Sequence, residues 1–165
     1  MVNSGIESDI MELLSGISDP EIPVVSIIEM GMVRGIEIRN DSVIVTITPT
    51  YSGCPAMHQI ESDIRQLLLD NGYENSVIQT KLSPPWTTDL MSDNTKLKLK
   101  QYGIAPPVGN SKDIRMDLFP IMSKILCPFC DSENTEIKSI FGSTACKSYY
   151  FCNSCHQNFE YFKCH

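Results

Sequence analysis

Two matched pairs of cysteines, Cys127 with Cys130 and Cys152 with Cys155, constrain this chain more than any other feature. Each pair has the spacing C-x-x-C, which turns the backbone so that both thiolates face one point. Two such turns supply four soft ligands for a tetrahedral metal ion, and the interval between them is typical of a zinc ribbon. The pattern predicts a β ribbon over 125–165 that binds zinc through these four cysteines.

Two other interpretations of the four cysteines stay open from the spacing alone. The thiols could form a disulfide framework or pack in a core. An iron–sulfur cluster would also fit, because iron, like zinc, accepts four thiolates in a tetrahedral array.

Three short strands are expected in the ribbon, at 135–140, 147–151 and 159–163, and they would bury little apolar surface. Metal binding would therefore supply much of the ribbon's folding free energy, on the order of 10 kcal/mol.

Charge and hydropathy exclude several classes of function. The net charge of −7 is poorly suited to neutralising phosphates, so no nucleic-acid partner is expected. Apolar runs such as 67–69 are far too short to span a bilayer, so no membrane association is expected. The acidic N-terminal stretch resembles neither a signal peptide nor a transit peptide. These observations predict a cytoplasmic protein whose seven cysteines stay reduced.

The first hundred residues predict a small α+β sandwich domain with the element order α-β-β-α-β-α. Apolar periodicity and turn residues place its helices and strands. The helices are expected at 8–15, 55–71 and 93–102, and the strands at 32–39, 42–48 and 77–82. The domain is expected to span 1–105, followed by a linker over 106–124 and the ribbon over 125–165.

Three local features of this domain are also predicted. The segment 19–23 contains two prolines, which favour an extended loop. Asp93 is expected to cap the last helix. Trp86 lies in a proline-rich loop, where it would either cover the sheet or anchor a partner, and the first interpretation is favoured.

Cys54 is the most suggestive residue outside the ribbon, because it lies where a strand ends and a helix begins. Backbone N–H groups and the helix dipole would stabilise its thiolate and lower its pKa. His58 follows one helical turn later, so the two could act as nucleophile and base or as two metal ligands. A half-buried cysteine beside a surface histidine is the alternative. A Cys/His hydrolase would need an orienting acid, for which Asp19, Glu21 and Asp89 are candidates that the spacing does not separate.

Other potential ligands are left over once the ribbon is filled. Cys146, Cys164, His156 and His165 could build a second metal site or contribute to an iron–sulfur cluster. Alternatively, Cys146 packs inside the ribbon and the terminal pair frays, or one of these groups replaces a ribbon ligand.

Several segments resemble known families. The stretches 19–23 (DPEIP), 29–33 (EMGMV) and 48–56 (TPTYSGCPA) are similar to the SufT-like domain family, whose members assist iron–sulfur cluster assembly. Further segments extend the resemblance over nearly the whole chain to the PaaD (PaaJ) family of accessory proteins. These segments are 84–89 (PPWTTD), 102–107 (YGIAPP), 127–130 (CPFC), 144–147 (TACK) and 162–165 (FKCH).

The resemblance implies an accessory role in phenylacetate catabolism rather than catalysis. It implies maturation or repair of an iron–sulfur or di-iron centre of the ring-epoxidising phenylacetyl-CoA epoxidase. The implied partners are the di-iron oxygenase and its iron–sulfur reductase, and a homodimer stays open. Cys54, with His58 beside it, becomes the candidate for transient contact with iron or a cluster, and Cys146 and Cys164 become candidates for extra ligands. A metal-stabilised scaffold with no metal transfer is the alternative.

Overall fold

A computed structural model of the protein describes residues 3–40, 42–108 and 125–163. The chain forms two compact units, Met1–Trp86 and Thr87–His165. Helices and sheets occur together in the chain, with the strands of the cysteine ribbon at the C-terminal end. This arrangement confirms the predicted α+β class. No helix among the described residues is both long and apolar enough to cross a membrane.

The first unit is a three-stranded sheet with two helices. Strands β1 and β2 form the predicted antiparallel hairpin, and β3 joins β2 in parallel. A parallel neighbour requires a crossover connection, and helix α2 supplies it between β2 and β3. The element bounds are α1 (Asn3–Ser15), β1 (Val33–Arg39), β2 (Ser42–Ile47), α2 (Met57–Asp70) and β3 (Ser76–Thr80).

The core of this unit follows from the alternation along β2. Val43, Val45 and Ile47 are buried on one face of the sheet, because successive side chains of a strand point to opposite faces. The helices contribute fully buried residues at helical spacing: Ile10, Leu14, Ile60, Ile64 and Leu68. The turn after α2 contains Gly72, whose φ of 85° is a backbone conformation that glycine adopts without strain.

The segment 19–23 forms a compact turn, so the predicted extended loop was wrong. The Asp19 carboxylate accepts hydrogen bonds from the backbone N–H groups of Glu21 (2.8 Å) and Ile22 (2.9 Å). The Asp19 N–H donates to the Val25 carbonyl at 2.9 Å. Prolines fix φ, but an aspartate side chain bonded to the next N–H groups folds the backbone back on itself.

Trp86 is not an exposed anchor, which was the second of its two predicted roles; that it covers the sheet stays a prediction. Its side chain is buried, and the indole Nε1–H donates to the Met30 carbonyl at 2.7 Å. The tryptophan therefore packs inside the first unit and satisfies its one polar group there.

The second unit is a four-stranded sheet with one helix. Strands β5, β6 and β7 form an antiparallel meander, and β4 adds to β7 in parallel. The three predicted ribbon strands are confirmed within one residue at each end. The element bounds are α3 (Asp93–Gln101), β4 (Ile104–Ala105), β5 (Thr135–Ser139), β6 (Lys147–Cys152) and β7 (Asn158–Phe162).

Helix α3 belongs to this second unit. Lys100 forms an ion pair with Asp131, and a Cβ added at Gly103 would lie 3.0 Å from the Phe129 ring. Because most of 106–124 lies outside the described residues, the linker and the 1–105 and 125–165 boundaries stay predictions.

The cap of α3 was predicted wrongly: Ser92, not Asp93, is the N-cap, and its hydroxyl accepts from the Thr95 N–H.

A partly buried ion pair lies near the end of the β6–β7 ladder that is remote from the cysteines. Lys147 lies 3.2 Å from Glu160, with side-chain exposures of 4% and 21%. Burial acts to raise the pKa of Glu160. Hydrogen bonds from the Ser143 N–H and hydroxyl, together with the Lys147 charge, lower that pKa overall. The carboxylate therefore stays charged and keeps the buried lysine paired.

Adjacent leucines in α2 give a matched test of this core. Leu68 is fully buried and Leu69 is 50% exposed. We expect Leu68→Ala to lower the free energy of unfolding by about 2–5 kcal/mol, because it leaves a cavity. We expect Leu69→Ala to change it by about 0.5 kcal/mol or less. Urea denaturation followed by circular dichroism measures both, and equal losses would contradict the placement of α2.

Candidate metal centre

The two cysteine pairs of the ribbon converge on one point. The Sγ atoms of Cys127 and Cys155 are 3.6 Å apart, and those of Cys130 and Cys152 are also 3.6 Å apart. All four Sγ atoms lie within 4.8 Å of one another. Within residues 3–40, 42–108 and 125–163, this is the one group of three or more metal-ligating side chains at such distances. The structure therefore assembles the ligand set that the spacing predicted.

The two C-x-x-C turns repeat the same backbone pattern. The first cysteine of each pair accepts at its carbonyl from the N–H four residues later, Asp131 onto Cys127 and His156 onto Cys152, both at 2.9 Å. Asp131 and His156 both have positive φ, 57° and 59°. The left-handed residue after each pair closes the turn and directs both sulfur atoms inward. Sequence reasoning did not identify these two positions, although each follows the second cysteine of its pair directly.

Backbone N–H groups also point at the sulfur atoms. Those of Cys155 and Ser154 donate to the Cys152 sulfur and lower its pKa to about 6, although burial opposes them. The equivalent N–H groups of Phe129 and Cys130 donate to the Cys127 sulfur. Burial outweighs them there and raises the Cys127 pKa to about 12. The turns are therefore built to stabilise sulfur anions, but a buried thiolate also needs a cation.

A single tetrahedral ion fits this arrangement. Four sulfur atoms at about 2.3 Å from one zinc ion lie about 3.8 Å apart in a regular tetrahedron. The two 3.6 Å separations are close to that value. A two-iron cluster would hold the sulfur atoms of its two irons farther apart, because each iron binds only two of them. The ribbon thus fits one metal ion.

Contacts outside the four sulfur atoms fix the relative position of the two turns. The Ser132 and Ser154 hydroxyls are 2.7 Å apart, and the Asn153 N–H donates to the Asn134 carbonyl at 2.8 Å. A small apolar cluster lies beside the cysteines. Its buried members are Ala105, Ile125, Cys127, Cys152 and Phe159.

The leftover residues do not join this centre. Cys146 is buried, and its Sγ lies 3.0 Å from the Thr144 hydroxyl. His156 is exposed beside the Phe151 ring. Cys164 and His165 lie outside the described residues. A second metal site that includes Cys146 and Cys164 therefore stays a prediction.

Cys54 lies in the first unit, in the loop between β2 and α2. Its thiol is half-buried, and the charges of Glu21 and Asp19 act on it. The turn over 19–23 and the loop over 48–56 therefore meet at Cys54. Of the three acids named from the sequence, the structure brings two, Asp19 and Glu21, near the thiol. His58 is exposed on α2, and its pairing with Cys54 stays a prediction.

The pKa of Cys54 is raised, so the predicted low-pKa thiolate was wrong. Burial is the largest cause, and the negative charges of Glu21 and Asp19 add to it. Hydrogen bonds from the Ala56 and Met57 N–H groups lower the pKa but do not outweigh the other causes. Without a bound cation, Cys54 is therefore a thiol at neutral pH.

Comparisons with known proteins match the N-terminal and the C-terminal parts of the chain to two different families. Residues 7–75 match a family described as iron–sulfur cluster assembly protein, and residues 118–163 match the PaaD zinc beta ribbon domain. The chain is 42% identical, over 94% of its length and 92% of the relative, to an Escherichia coli (strain K12) protein. The provisional name of that relative describes it as one of the subunits of 1,2-phenylacetyl-CoA epoxidase.

The chain belongs to the PaaD family. Its first part is also 34% identical to an Fe-S protein maturation auxiliary factor of Porphyromonas gingivalis, over 56% of this chain and 90% of the relative. A crystal structure of a DUF59 domain from Bacillus anthracis aligns with a TM-score of 0.54 at 29% identity. It covers 58% of this chain and 92% of the other. The PaaD-family chain thus combines an assembly-type domain with a C-terminal zinc ribbon.

Elemental analysis tests the four-cysteine centre. We expect Cys152→Ser to lose the ribbon metal and to unfold the ribbon, because one of four thiolates is missing. The matched control is Cys146→Ser, which changes a buried cysteine of the same ribbon and should keep the metal. Equal metal content in the two variants would contradict the ligand set.

The raised pKa of Cys54 predicts a pH dependence of its alkylation. The thiolate is the reactive form, so the rate with iodoacetamide should rise with pH and reach half its maximum above the ordinary thiol pKa. Glu21→Gln removes one negative charge and should shift that midpoint to lower pH. Mass spectrometry of the peptide that contains Cys54, in metal-loaded protein, measures both rates. A Glu21→Gln midpoint equal to or above the wild-type value would contradict the role of this charge.

Proposed function

We propose that this PaaD-family protein is a non-catalytic accessory factor of a phenylacetyl-CoA epoxidase system in phenylacetate catabolism. In this proposal it assists the assembly or repair of an iron–sulfur or di-iron centre in the cytoplasm. The observation that carries the proposal is the joint match of both parts of the chain. The relative that is similar along nearly the whole chain is named as part of the epoxidase. The relative that is similar over the first part is named as an Fe-S protein maturation factor.

Cys54 is the proposed point of contact with iron or a cluster, which here is cargo rather than a resident cofactor. The carboxylates of Asp19 and Glu21 oppose a bare thiolate at this position. The same negative charges favour a cation, since opposite charges attract most strongly where water is partly excluded. A metal ion can therefore replace the thiol proton, and a proton can displace the metal when a stronger site takes it. Such exchange suits transient holding and release.

The resident metal of the ribbon is proposed to be zinc. Cys127, Cys130, Cys152 and Cys155 would hold it with no position left open, and closed four-thiolate sites are typical of structural zinc. When bound, the ion supplies folding free energy to a ribbon with a small core. Elemental analysis and an absorption spectrum of protein purified without oxygen distinguish zinc from iron.

The alternative function is a scaffold that binds the oxygenase or its reductase without handling metal. Exposed apolar side chains on the second unit favour this candidate. Phe129, Ile140 and Phe141 are 54%, 62% and 60% exposed, and such residues are common where proteins dock. The two candidates differ in what happens to the partner's metal.

Cells that carry the epoxidase genes test the role of Cys54. We expect Cys54→Ser to fold normally and keep its ribbon metal, yet to leave the epoxidase inactive and short of iron. The companion variant His58→Ala changes the second candidate for contact with iron, an exposed side chain one turn away. Retained activation by it would assign the contact to Cys54 alone, and loss of activation would assign it to both. The measurements are epoxidase activity and the iron content of each purified epoxidase component.

Two outcomes of this test would contradict the proposal in different ways. Full activation by Cys54→Ser would remove that thiol from the mechanism. A partner with full iron and cluster content, yet no activity, in cells that lack this protein would favour the scaffold.

A further inference from the structure

A polar cleft lies in the first unit, on residues that the metal chemistry does not use. It has a volume of about 290 Å³ and is lined by residues of β1 and β2, by Thr48 just after β2 and by the loop after β3. Its lining residues are Arg34, Gly35, Glu37, Thr46, Thr48, Lys81, Ser83 and Pro84. Two cations and three hydroxyl-bearing residues are therefore gathered in one cleft of an acidic chain.

A β-bulge in β1 brings one of these cations to the cleft. Val33 pairs with Ile47 and Gly35 pairs with Thr46, so Arg34 is an extra residue with no partner on β2. In a regular strand, Arg34 would point away from the face that carries Gly35 and Glu37. The bulge re-aims it, and all three residues line the cleft.

The second cation, Lys81, comes from the opposite edge of the sheet, next to β3. Lys81 follows β3, and its N–H donates to the Ile47 carbonyl at 2.9 Å, which extends the parallel ladder by one residue. Thr46 of the central strand β2 and Thr48 just after it lie between Arg34 and Lys81 in strand order, and both are buried. Gly35 leaves the space opposite Thr46 open, since a Cβ added there would meet nothing within 4 Å.

The charges of the cleft do not cancel one another. The Glu37 carboxylate forms an ion pair with the Arg39 guanidinium, so it is already paired. Among the residues that the structure describes, the side chains of Arg34 and Lys81 have neither an ion-pair nor a hydrogen-bond partner. Two unpaired positive charges match a dianion, whereas a single carboxylate would leave one cation over.

We propose that this cleft binds a phosphate monoester group of a small molecule. Arg34 would bind two of the phosphate oxygens through its guanidinium, which matches phosphate geometry, and Lys81 would act as a point charge. Thr46, Thr48 and Ser83 add hydroxyl-bearing residues to the lining. The volume is at the lower end of small-molecule sites, which are about 300–1,000 Å³, so the cleft holds an end group and the rest of the ligand lies outside. This site is independent of the function proposed for Cys54.

Titration of the full, metal-loaded chain with inorganic phosphate tests the cleft. We expect saturable chemical-shift changes at the amides of Arg34, Gly35, Thr46 and Lys81 in nitrogen-15 spectra. Arg34→Gln and Lys81→Gln should each weaken binding by about tenfold or more, the range expected for one charge-assisted hydrogen bond. The matched control Arg65→Gln removes the same charge from an exposed position on α2, outside the cleft, and should change affinity by less than about twofold.

A steric variant separates the cleft from a general charge effect. Gly35→Leu should lower affinity by about tenfold or more with no loss of thermal stability, because its side chain enters open space. An equal loss of affinity in Arg34→Gln and Arg65→Gln, or no effect of Gly35→Leu, would overturn the site.

Two further ligands identify the group that is bound. AMP, which carries a phosphate monoester on a nucleoside, is expected to bind at least as tightly as inorganic phosphate, and succinate is expected to bind more weakly. Failure of AMP to bind, or succinate binding as tight as that of phosphate, would overturn the assignment to a phosphate monoester.

Discussion

The second unit depends on four sulfur atoms reaching one point. Two of them, in Cys127 and Cys152, are also members of its small apolar cluster, so the metal site and the hydrophobic core share the same residues. Burial raises the pKa of Cys127 to about 12, which means that its thiolate is unfavourable until a cation is bound. The thiolates of the ribbon therefore need the positive charge of a bound metal ion, which links the folding of the ribbon to metal binding.

The first unit follows a different principle. Its sheet and helices bury an apolar core with no cluster of cysteines among its described residues, and its potential ligand, Cys54, is only half-buried. The negative charges of Asp19 and Glu21 act on this thiol, so they disfavour its bare thiolate and favour a bound cation. The chain thus combines a cluster of four cysteines able to bind a metal ion with a separate, half-buried thiol in the first unit.

Local patterns in the sequence predicted most of the helices and strands correctly. The hairpin β1–β2, helix α2 and the three ribbon strands were predicted within about two residues, because hydrophobic periodicity and turn residues specify them. The convergence of the four ribbon cysteines was also expected, because C-x-x-C spacing fixes the direction of both thiolates. The favoured interpretation of Trp86 as a residue that is not an exposed anchor agrees with its burial, and its indole N–H donates to a carbonyl 56 residues away.

The errors arose where distant residues meet. The spacing around Cys54 indicated a helix N-terminus and hence a low pKa, but burial and the charges of a loop more than thirty residues earlier reversed that direction. The parallel pairing of β4 with β7, which places α3 in the second unit, has no signal in a two-residue strand. The cleft around Gly35 depends on a bulge and on three strands being adjacent. The sequence by itself determined the hairpin β1–β2, helix α2, the three ribbon strands, the convergence of the four ribbon cysteines and the resemblance to the family. Only the tertiary structure decided the direction in which the Cys54 pKa is shifted and brought Arg34 and Lys81 to one cleft, because electrostatics depends on distances in space rather than along the chain.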